Sequence, residues 1–158
     1  MTPTPNNITL VIADDEAPIR MVVGERLRSA GFTVFEAQDG EEALEMVRAH
    51  MPAAIVTDLQ MPCMNGLELC MAMRNDPRTA HIPALLLTAR GHVLSDEMMA
   101  KTNIKRIMSK PFGVRELLSY VQETLVPAGS RGSTQNVGTT GLAMSSVAGG
   151  GSTLREAA

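Results

Sequence analysis

Polar side chains that can carry out chemistry stand at the ends of four apolar stretches of this sequence. These side chains are Asp14, Asp15, Asp58, Thr88 and Lys110. Carboxylates held close together raise one another's pKa, and a hard divalent cation such as Mg²⁺ relieves that repulsion while leaving room for phosphate oxygens. With the cation present, a carboxylate can attack a phosphoryl group and form an aspartyl phosphate. The residue types therefore predict Mg²⁺-dependent phosphoryl chemistry.

Thr88 and Lys110 suit the same reaction, because a hydroxyl and an ammonium can hydrogen-bond to phosphoryl oxygens and balance their charge. A plainer interpretation is that acids at strand ends only cap the helices that follow, where the helix dipole favours negative charge. That interpretation suits Asp14 or Asp15 taken singly. It does not explain why polar residues stand at the ends of four different strands.

Short apolar or β-branched runs alternate with stretches of helical spacing, which predicts alternating strands and helices. The predicted strands span residues 8–13, 32–37, 53–58, 83–89 and 104–110. The predicted helices span residues 17–31, 39–50, 66–75, 95–102 and 114–125. This alternation is typical of an α/β fold, with helices on both faces of a doubly wound parallel sheet. Because the carboxyl ends of parallel strands meet at one edge, the polar residues should share one crevice.

Two of the predicted helices carry apolar residues at helical spacing. In the first helix these are Ile19, Val22, Val23 and Leu27. In the last helix they form a regular stripe of Val114, Leu117, Leu118, Val121 and Leu125. Such stripes are predicted to face the sheet. Asp39 and Glu42 form a predicted cap pair for the second helix, and Met46 and Met108 are predicted to fill the core.

The composition argues against several function classes. Trp is absent, aromatic residues make up 3% and the net charge is -3, so neither stacking surfaces nor a basic field would attract nucleic acid or anionic lipid. Cys63 and Cys70 do not form a CxxC motif and are predicted to be reduced thiols. The N-terminus lacks a leader pattern, and no apolar run approaches the roughly 20 residues of a membrane span. We therefore expect a cytoplasmic protein.

The composition changes sharply after residue 126. Residues 127–158 hold seven of the 13 glycines, and such a segment cannot bury enough apolar surface to offset its ordering entropy. We expect a short N-terminal extension over residues 1–7, one folded domain over 8–126 and a disordered Gly/Ser/Thr-rich tail over 127–158. A role for the tail as a tether or docking peptide stays open.

Four motifs, taken in order, carry a family resemblance. They are ADDE at 13–16, VTDLQMPCMNGLEL at 56–69, LLLTA at 85–89 and SKPF at 109–112. Their order and spacing resemble the receiver domain of two-component response regulators, in its stand-alone, chemotaxis-regulator-like form. The resemblance covers residues 8–126 and implies a flavodoxin-like sheet of five strands in the order 2-1-3-4-5.

The resemblance also implies which residues accept the phosphoryl group and hold the cofactor. Asp58 resembles the aspartate that receives a phosphoryl group from a partner kinase's phosphohistidine. Asp14 and Asp15 resemble the acidic pair that organises Mg²⁺, to which Asp58 and the backbone carbonyl of Gln60 would also contribute.

Other positions resemble the parts of the family's switch. Thr88 resembles the hydroxyl that moves toward the phosphoryl group, and Lys110 resembles the lysine that pairs with it. The Lys110–Pro111 bond resembles the family's cis peptide. Met61-Pro62 and Gly66 match the turn after the phosphorylated strand, and Gly66 is predicted to serve a special backbone conformation.

Three positions depart from the family pattern or are variable in it. Ile107 stands where the family usually places Tyr or Phe, so a relay through ring rotation has no ring here. Gln60 and Arg90 occupy variable positions that, in the family, modulate how long the phosphoryl group lasts. An effect of Arg90 is predicted by this resemblance, and a plain exposed surface arginine is the alternative. Glu16 is predicted to be an exposed acid at a helix N-terminus and not a metal ligand.

Three functional hypotheses follow. The first is a phosphorylation-switched receiver that is not an enzyme beyond its own phosphotransfer and dephosphorylation. Its partner would be a histidine kinase or a histidine phosphotransfer protein. It would signal by protein–protein contact through the surface of residues 93–125, without direct contacts to nucleic acid or membrane. The second is an Asp-nucleophile, Mg²⁺-dependent phosphatase, and the third is a receiver-like module that binds a partner without phosphorylation.

Overall fold

A computed structural model describes residues 8–89 and 94–125 of the chain. Its strands are β1 (Thr9–Ala13), β2 (Thr33–Ala37), β3 (Ala54–Asp58), β4 (Ala84–Thr88) and β5 (Ile104–Ser109). Its helices are α1 (Ala17–Ser29), α2 (Gly40–His50), α3 (Gly66–Arg74), α4 (Asp96–Ala100) and α5 (Val114–Tyr120), which continues into a π-helical turn over Val121–Leu125. The predicted alternation of strands and helices is therefore confirmed. The predicted segments 1–7 and 127–158 lie outside the described residues.

The five strands form one parallel sheet in the order β2-β1-β3-β4-β5, which confirms the predicted fold class. Asp58 at the end of β3 lies opposite Leu87 of β4, and Thr88 lies opposite Ser109 of β5. The register thus brings the ends of β3, β4 and β5 to one edge of the sheet. Apolar residues pack on both faces, in one cluster with α2 and α3 and in another with α1 and α5. No helix among the described residues is long and apolar enough to cross a membrane.

Helix α1 differs from its prediction at one position. Val23 and Leu27 are buried against the sheet as predicted, since residues four apart share a helical face. Val22, one residue before Val23, is turned away from that face by about 100° and is 55% exposed. The prediction that Val22 faces the sheet was therefore wrong. In α5, Leu117 and Val121 are buried, whereas the side chain of Leu125 lies outside the described part of the chain.

The starts of α2 and α3 are fixed by side-chain caps. The Asp39 carboxylate accepts a hydrogen bond of 2.8 Å from the Glu42 amide, as the cap pair predicted. At α3, Asn65 and Glu68 form a reciprocal capping box, with each side chain bonded to the other residue's backbone amide. This second box was not predicted, although its residues stand three apart as the motif requires. It fixes the chain shortly after Asp58.

Candidate functional site

A cleft of about 310 Å³ lies at the carboxyl ends of the strands. Its lining residues are Asp15, Glu16, Asp58, Gln60, Ala89 and Lys110. They come from the β1–α1, β3–α3 and β4–α4 connections, from the last residue of β3 and from the residue that follows β5. The cleft therefore occupies the crevice that a doubly wound sheet leaves at its strand ends.

Three carboxylates converge at this cleft. Ligand oxygens of Asp14, Asp15 and Asp58 all lie within 4.8 Å of one another. Asp14 and Asp58 are buried, whereas Asp15 is exposed. A set of hard carboxylate oxygens that opens to solvent on one side fits Mg²⁺, which takes one or two carboxylates and retains several waters or phosphate oxygens.

Lys110 crosses the cleft and contacts three acids. Its Nζ atom lies 3.2 Å from Oδ2 of Asp14, 3.2 Å from Oδ1 of Asp58 and 3.3 Å from Oε1 of Glu16. Only about a fifth of the lysine side chain is exposed, so its pairing with the two buried aspartates is poorly screened by solvent. The backbone supports this placement, because the Lys110 amide donates a 2.7 Å hydrogen bond to the Thr88 carbonyl.

The charges of the site shift the pKa values of its buried groups. Burial raises the pKa of Asp58, the neighbouring Asp14 carboxylate raises it further, and Lys110 offsets these effects only in part. Burial also raises the pKa of Asp14, against the hydrogen bond from the Glu16 amide and the charge of Lys110. Burial opposes the charge of Lys110, but the Asp14 and Asp58 carboxylates outweigh it and raise the pKa of Lys110. The site thus holds more negative charge than one lysine balances.

Thr88 and Gln60 complete the set of predicted site residues. The Thr88 side chain is buried, and its hydroxyl donates a 3.2 Å hydrogen bond to the Ala89 carbonyl. Gln60 lines the cleft and is exposed. The structure thus places Thr88 beside the cleft and Gln60 on its wall, while their roles as switch hydroxyl and carbonyl ligand stay predictions.

Glu16 takes part in the site in a way that the sequence did not indicate. It stands at the N-terminus of α1, as predicted, but its side chain makes no capping hydrogen bond there. Instead, its carboxylate pairs with Lys110 across a separation of 94 residues. The adjacency of Glu16 to the acid pair was a possible signal, but the contact depends on the sheet, which brings the carboxyl ends of β1 and β5 to one edge, and not on local sequence.

Gly66, which follows the turn after Asp58, is needed for a reason other than the predicted one. Gly66 does not have a positive φ. Among the described glycines, it is Gly31 that has one. A Cβ atom added to Gly66 would instead lie 2.2 Å from the Asp58 carbonyl oxygen. Gly66 is therefore required for close backbone approach, and the predicted need for a special conformation was wrong. The Lys110–Pro111 peptide is cis, as the family resemblance implied.

The remaining predicted positions are Ile107, Arg90 and the two cysteines. Ile107 is half-buried on β5, opposite Leu86, and packs against the core. Arg90 lies outside the described residues. Cys63, in the turn after Asp58, is exposed and has a φ of 69°, whereas Cys70 is buried. Both are free thiols, and burial raises the pKa of Cys70 to about 12.

The sheet order and the acids at its carboxyl edge define the class of receiver-like α/β signalling domains. The response regulator receiver domain family matches residues 10–122. The chain belongs to this family, which confirms the resemblance drawn from its four motifs.

Solved structures and curated proteins agree with that assignment. A putative response regulator from Chloroflexus aurantiacus has a TM-score of 0.70 and 32% identity, over 77% of this chain and 100% of that chain. The chemotaxis response regulator CheY4 of Vibrio cholerae has a TM-score of 0.68 and 29% identity, over 74% of this chain and 98% of its own.

Curated relatives are longer proteins. The phosphate regulon transcriptional regulatory protein PhoB of Pseudomonas aeruginosa is 32% identical over 117 residues, which are 74% of this chain and 51% of PhoB. Histidine kinase P4 of Formosa agariphila is also 32% identical over 117 residues, which are 8% of that protein. The chain thus matches about half or less of these relatives' lengths.

Proposed function

We propose that this receiver domain accepts a phosphoryl group on Asp58 from a histidine kinase or a histidine phosphotransfer protein. The observation that carries the proposal is the placement of Asp58 in the cleft, 3.2 Å from the Lys110 ammonium and within 4.8 Å of two further carboxylates. Asp14, Asp15, Asp58 and the Gln60 carbonyl would hold Mg²⁺. When bound, Mg²⁺ would supply the positive charge that draws phosphoryl oxygens toward the acids.

The transfer needs only a nucleophile and charge stabilisation. An Oδ atom of Asp58 forms a bond to phosphorus while the bond between phosphorus and the donor's imidazole nitrogen breaks, and the bonding electrons return to that nitrogen. Lys110 then pairs with phosphoryl oxygens in place of the Asp58 carboxylate. The Thr88 hydroxyl, bonded to the Ala89 carbonyl in this structure, would exchange that partner for a phosphoryl oxygen.

The output is a shift between two arrangements of the domain. A phosphoryl group moves such an equilibrium only if it binds one arrangement better than the other. Thr88 and Lys110 provide that difference. Thr88 would gain a charged acceptor that it lacks before transfer, and Lys110 would exchange the Asp58 carboxylate for phosphoryl oxygens. The surface that would respond lies in residues 93–125, and a downstream protein would recognise it by direct contact.

The test is an intact-mass measurement after incubation with acetyl phosphate or phosphoramidate and Mg²⁺. We expect a base-labile phosphoryl adduct on the wild-type chain. It should be absent in Asp58→Ala and without Mg²⁺, and retained in Asp96→Asn, which changes an exposed aspartate outside the cleft. If no donor produces an adduct, the proposal is wrong and the module that binds without phosphorylation takes its place.

A further inference from the structure

Arg20, on the inner side of α1, joins the acidic loop to strand β2. Its Nη1 atom donates a 2.7 Å hydrogen bond to the backbone carbonyl of Asp14. Its Nε atom donates to Oε1 of Glu36, at 3.3 Å. The Arg20 side chain is 15% exposed and the Glu36 side chain 23%, so this bridge is largely shielded from solvent and is screened less than a surface pair.

Glu36 is itself held in place by a second arginine. Nη1 of Arg28 lies 2.9 Å from Oε2 of Glu36, and Nη2 of Arg28 donates to the Val34 carbonyl at 3.0 Å. Gly24 lies beneath the carboxylate, where an added Cβ would come within 2.8 Å of Oε2. Because both oxygens of Glu36 are engaged, Arg20 bonds to a fixed anchor and not to a mobile side chain.

The carbonyl that Arg20 contacts belongs to the peptide between Asp14 and Asp15. The Asp14 amide bonds to the Ala37 carbonyl at 3.1 Å, so β2 holds the other side of the same residue. Asp15 is exposed, and its carboxylate takes its direction from this peptide plane. We infer that Arg20 is a positioning residue that orients the acid pair for a divalent cation. The inference rests on the proposed function, which assigns Mg²⁺ to these acids.

Charge and orientation predict opposite effects of removing Arg20. The guanidinium is a positive charge close to the acids, so its loss should tighten Mg²⁺ binding if only charge matters. If Arg20 orients the acid pair, its loss should weaken binding, as the loss of groups that orient metal ligands commonly does by about 10- to 100-fold. The sign of the change therefore separates the two explanations.

The test is calorimetric titration of the whole 158-residue chain with Mg²⁺. We expect Arg20→Gln to weaken binding by about 10-fold. Arg20→Lys, which keeps the charge but lacks the planar guanidinium whose Nε and Nη1 atoms contact Glu36 and Asp14, should weaken it at least about threefold. Arg26→Gln and Arg26→Lys are the matched controls. They make the same changes of charge and side chain at an exposed position of α1, and we expect them to stay within about twofold of wild type.

Melting temperatures without metal show whether each variant is folded. If Arg20→Gln is not folded, Arg20→Lys decides whether Arg20 orients the acid pair. Unchanged or tighter binding in Arg20→Lys overturns the inference, as does equal weakening in the Arg20 and Arg26 variants. If the wild-type chain itself binds no Mg²⁺, the proposed metal site fails first, so the two failures are distinguishable.

Discussion

Glu16 and Lys110 form an ion pair of 3.3 Å at the open side of the cleft. The Glu16 side chain is 57% exposed, whereas the two aspartates that share the same ammonium are buried. Lys110 has three N–H donors, and in this structure each has a carboxylate within reach. A phosphoryl group on Asp58 would therefore compete with Glu16 for the lysine.

We expect Glu16→Gln to prolong the phosphoryl adduct, because it removes a charged competitor for Lys110. An exposed ion pair contributes at most about 1 kcal/mol, so the change should be no more than about fivefold. The measurement is the decay of the adduct by intact mass at saturating Mg²⁺. Glu25→Gln makes the same charge change on an exposed position of α1 and should leave the decay unchanged. A decay rate equal to wild type in Glu16→Gln would show that Glu16 does not restrain Lys110.

Replacing Lys110 should separate metal binding from phosphoryl transfer. Lys110→Met removes a positive charge 3.2 Å from Asp14 and Asp58, so Mg²⁺ should bind more tightly. Phosphorylation should nevertheless slow by about 100-fold, since the donor that stabilises the transferring group is lost. Calorimetry and adduct formation measure the two effects. Lys101 is an exposed lysine after α4, and Lys101→Met should change neither Mg²⁺ binding nor the rate of phosphorylation. If Lys110→Met weakened Mg²⁺ binding and slowed phosphorylation together, this prediction would be contradicted.

The close approach at Gly66 predicts a large loss of stability on adding one methyl group. A Cβ there would lie 2.2 Å from the Asp58 carbonyl oxygen and 3.0 Å from Leu86. We expect Gly66→Ala to lower the free energy of unfolding by about 1–3 kcal/mol or more, because the backbone has to move. Gly113→Ala is the matched control. An added Cβ there meets nothing closer than 3.8 Å, and the cost of the poorer cap should stay below about 1 kcal/mol. If urea unfolding showed equal losses of unfolding free energy in Gly66→Ala and Gly113→Ala, this account would be refuted.

The raised pKa values of Asp14 and Asp58 predict how stability depends on pH without metal. A carboxyl whose pKa is higher in the folded state keeps a proton that the unfolded chain releases. The stability that this group contributes is fully present below the ordinary carboxyl pKa. It is lost as the pH rises through the pKa of the folded state. Asp14→Asn removes that loss, so in EDTA at neutral pH its melting temperature should exceed that of wild type.

Thermal unfolding checks this prediction, and a gain of 1 kcal/mol corresponds to roughly 4 °C in a domain of this size. The advantage of Asp14→Asn should shrink as the pH falls below the usual carboxyl range. Asp76→Asn serves as the contrast, because the hydrogen bonds from Arg78 lower the pKa of Asp76, and this variant should gain no stability. A wild-type chain as stable as Asp14→Asn at neutral pH would show that burial of the acids is not costly.

The fold and most of the site could be predicted because their signals are local. Strand ends are marked by a change from apolar to polar residues, and a parallel sheet brings those ends together wherever the loops run. The exposure of Val22 could not be read in this way, since Val22 and Val23 are adjacent apolar residues and only packing decides which one faces the sheet.

The parts that escaped prediction depend on contacts between distant segments. Glu16 reaches Lys110 across 94 residues, and Arg20 reaches the Asp14 carbonyl through a side chain whose direction no periodicity specifies. The role of Gly66 was misassigned for a related reason. A glycine needed for space and a glycine needed for a positive φ look identical in sequence, and the coordinates separate them.

The contrast between the two cysteines has a practical consequence. Cys63 is exposed in the turn that follows Asp58, while Cys70 is buried and its pKa is raised to about 12. A maleimide reagent should therefore label Cys63 in preference to Cys70 in the folded chain, because the Cys70 thiol is both inaccessible and protonated. Since the sequence contains no Trp, an environment-sensitive dye at Cys63 would give an optical signal from the turn that follows Asp58 without any mutation.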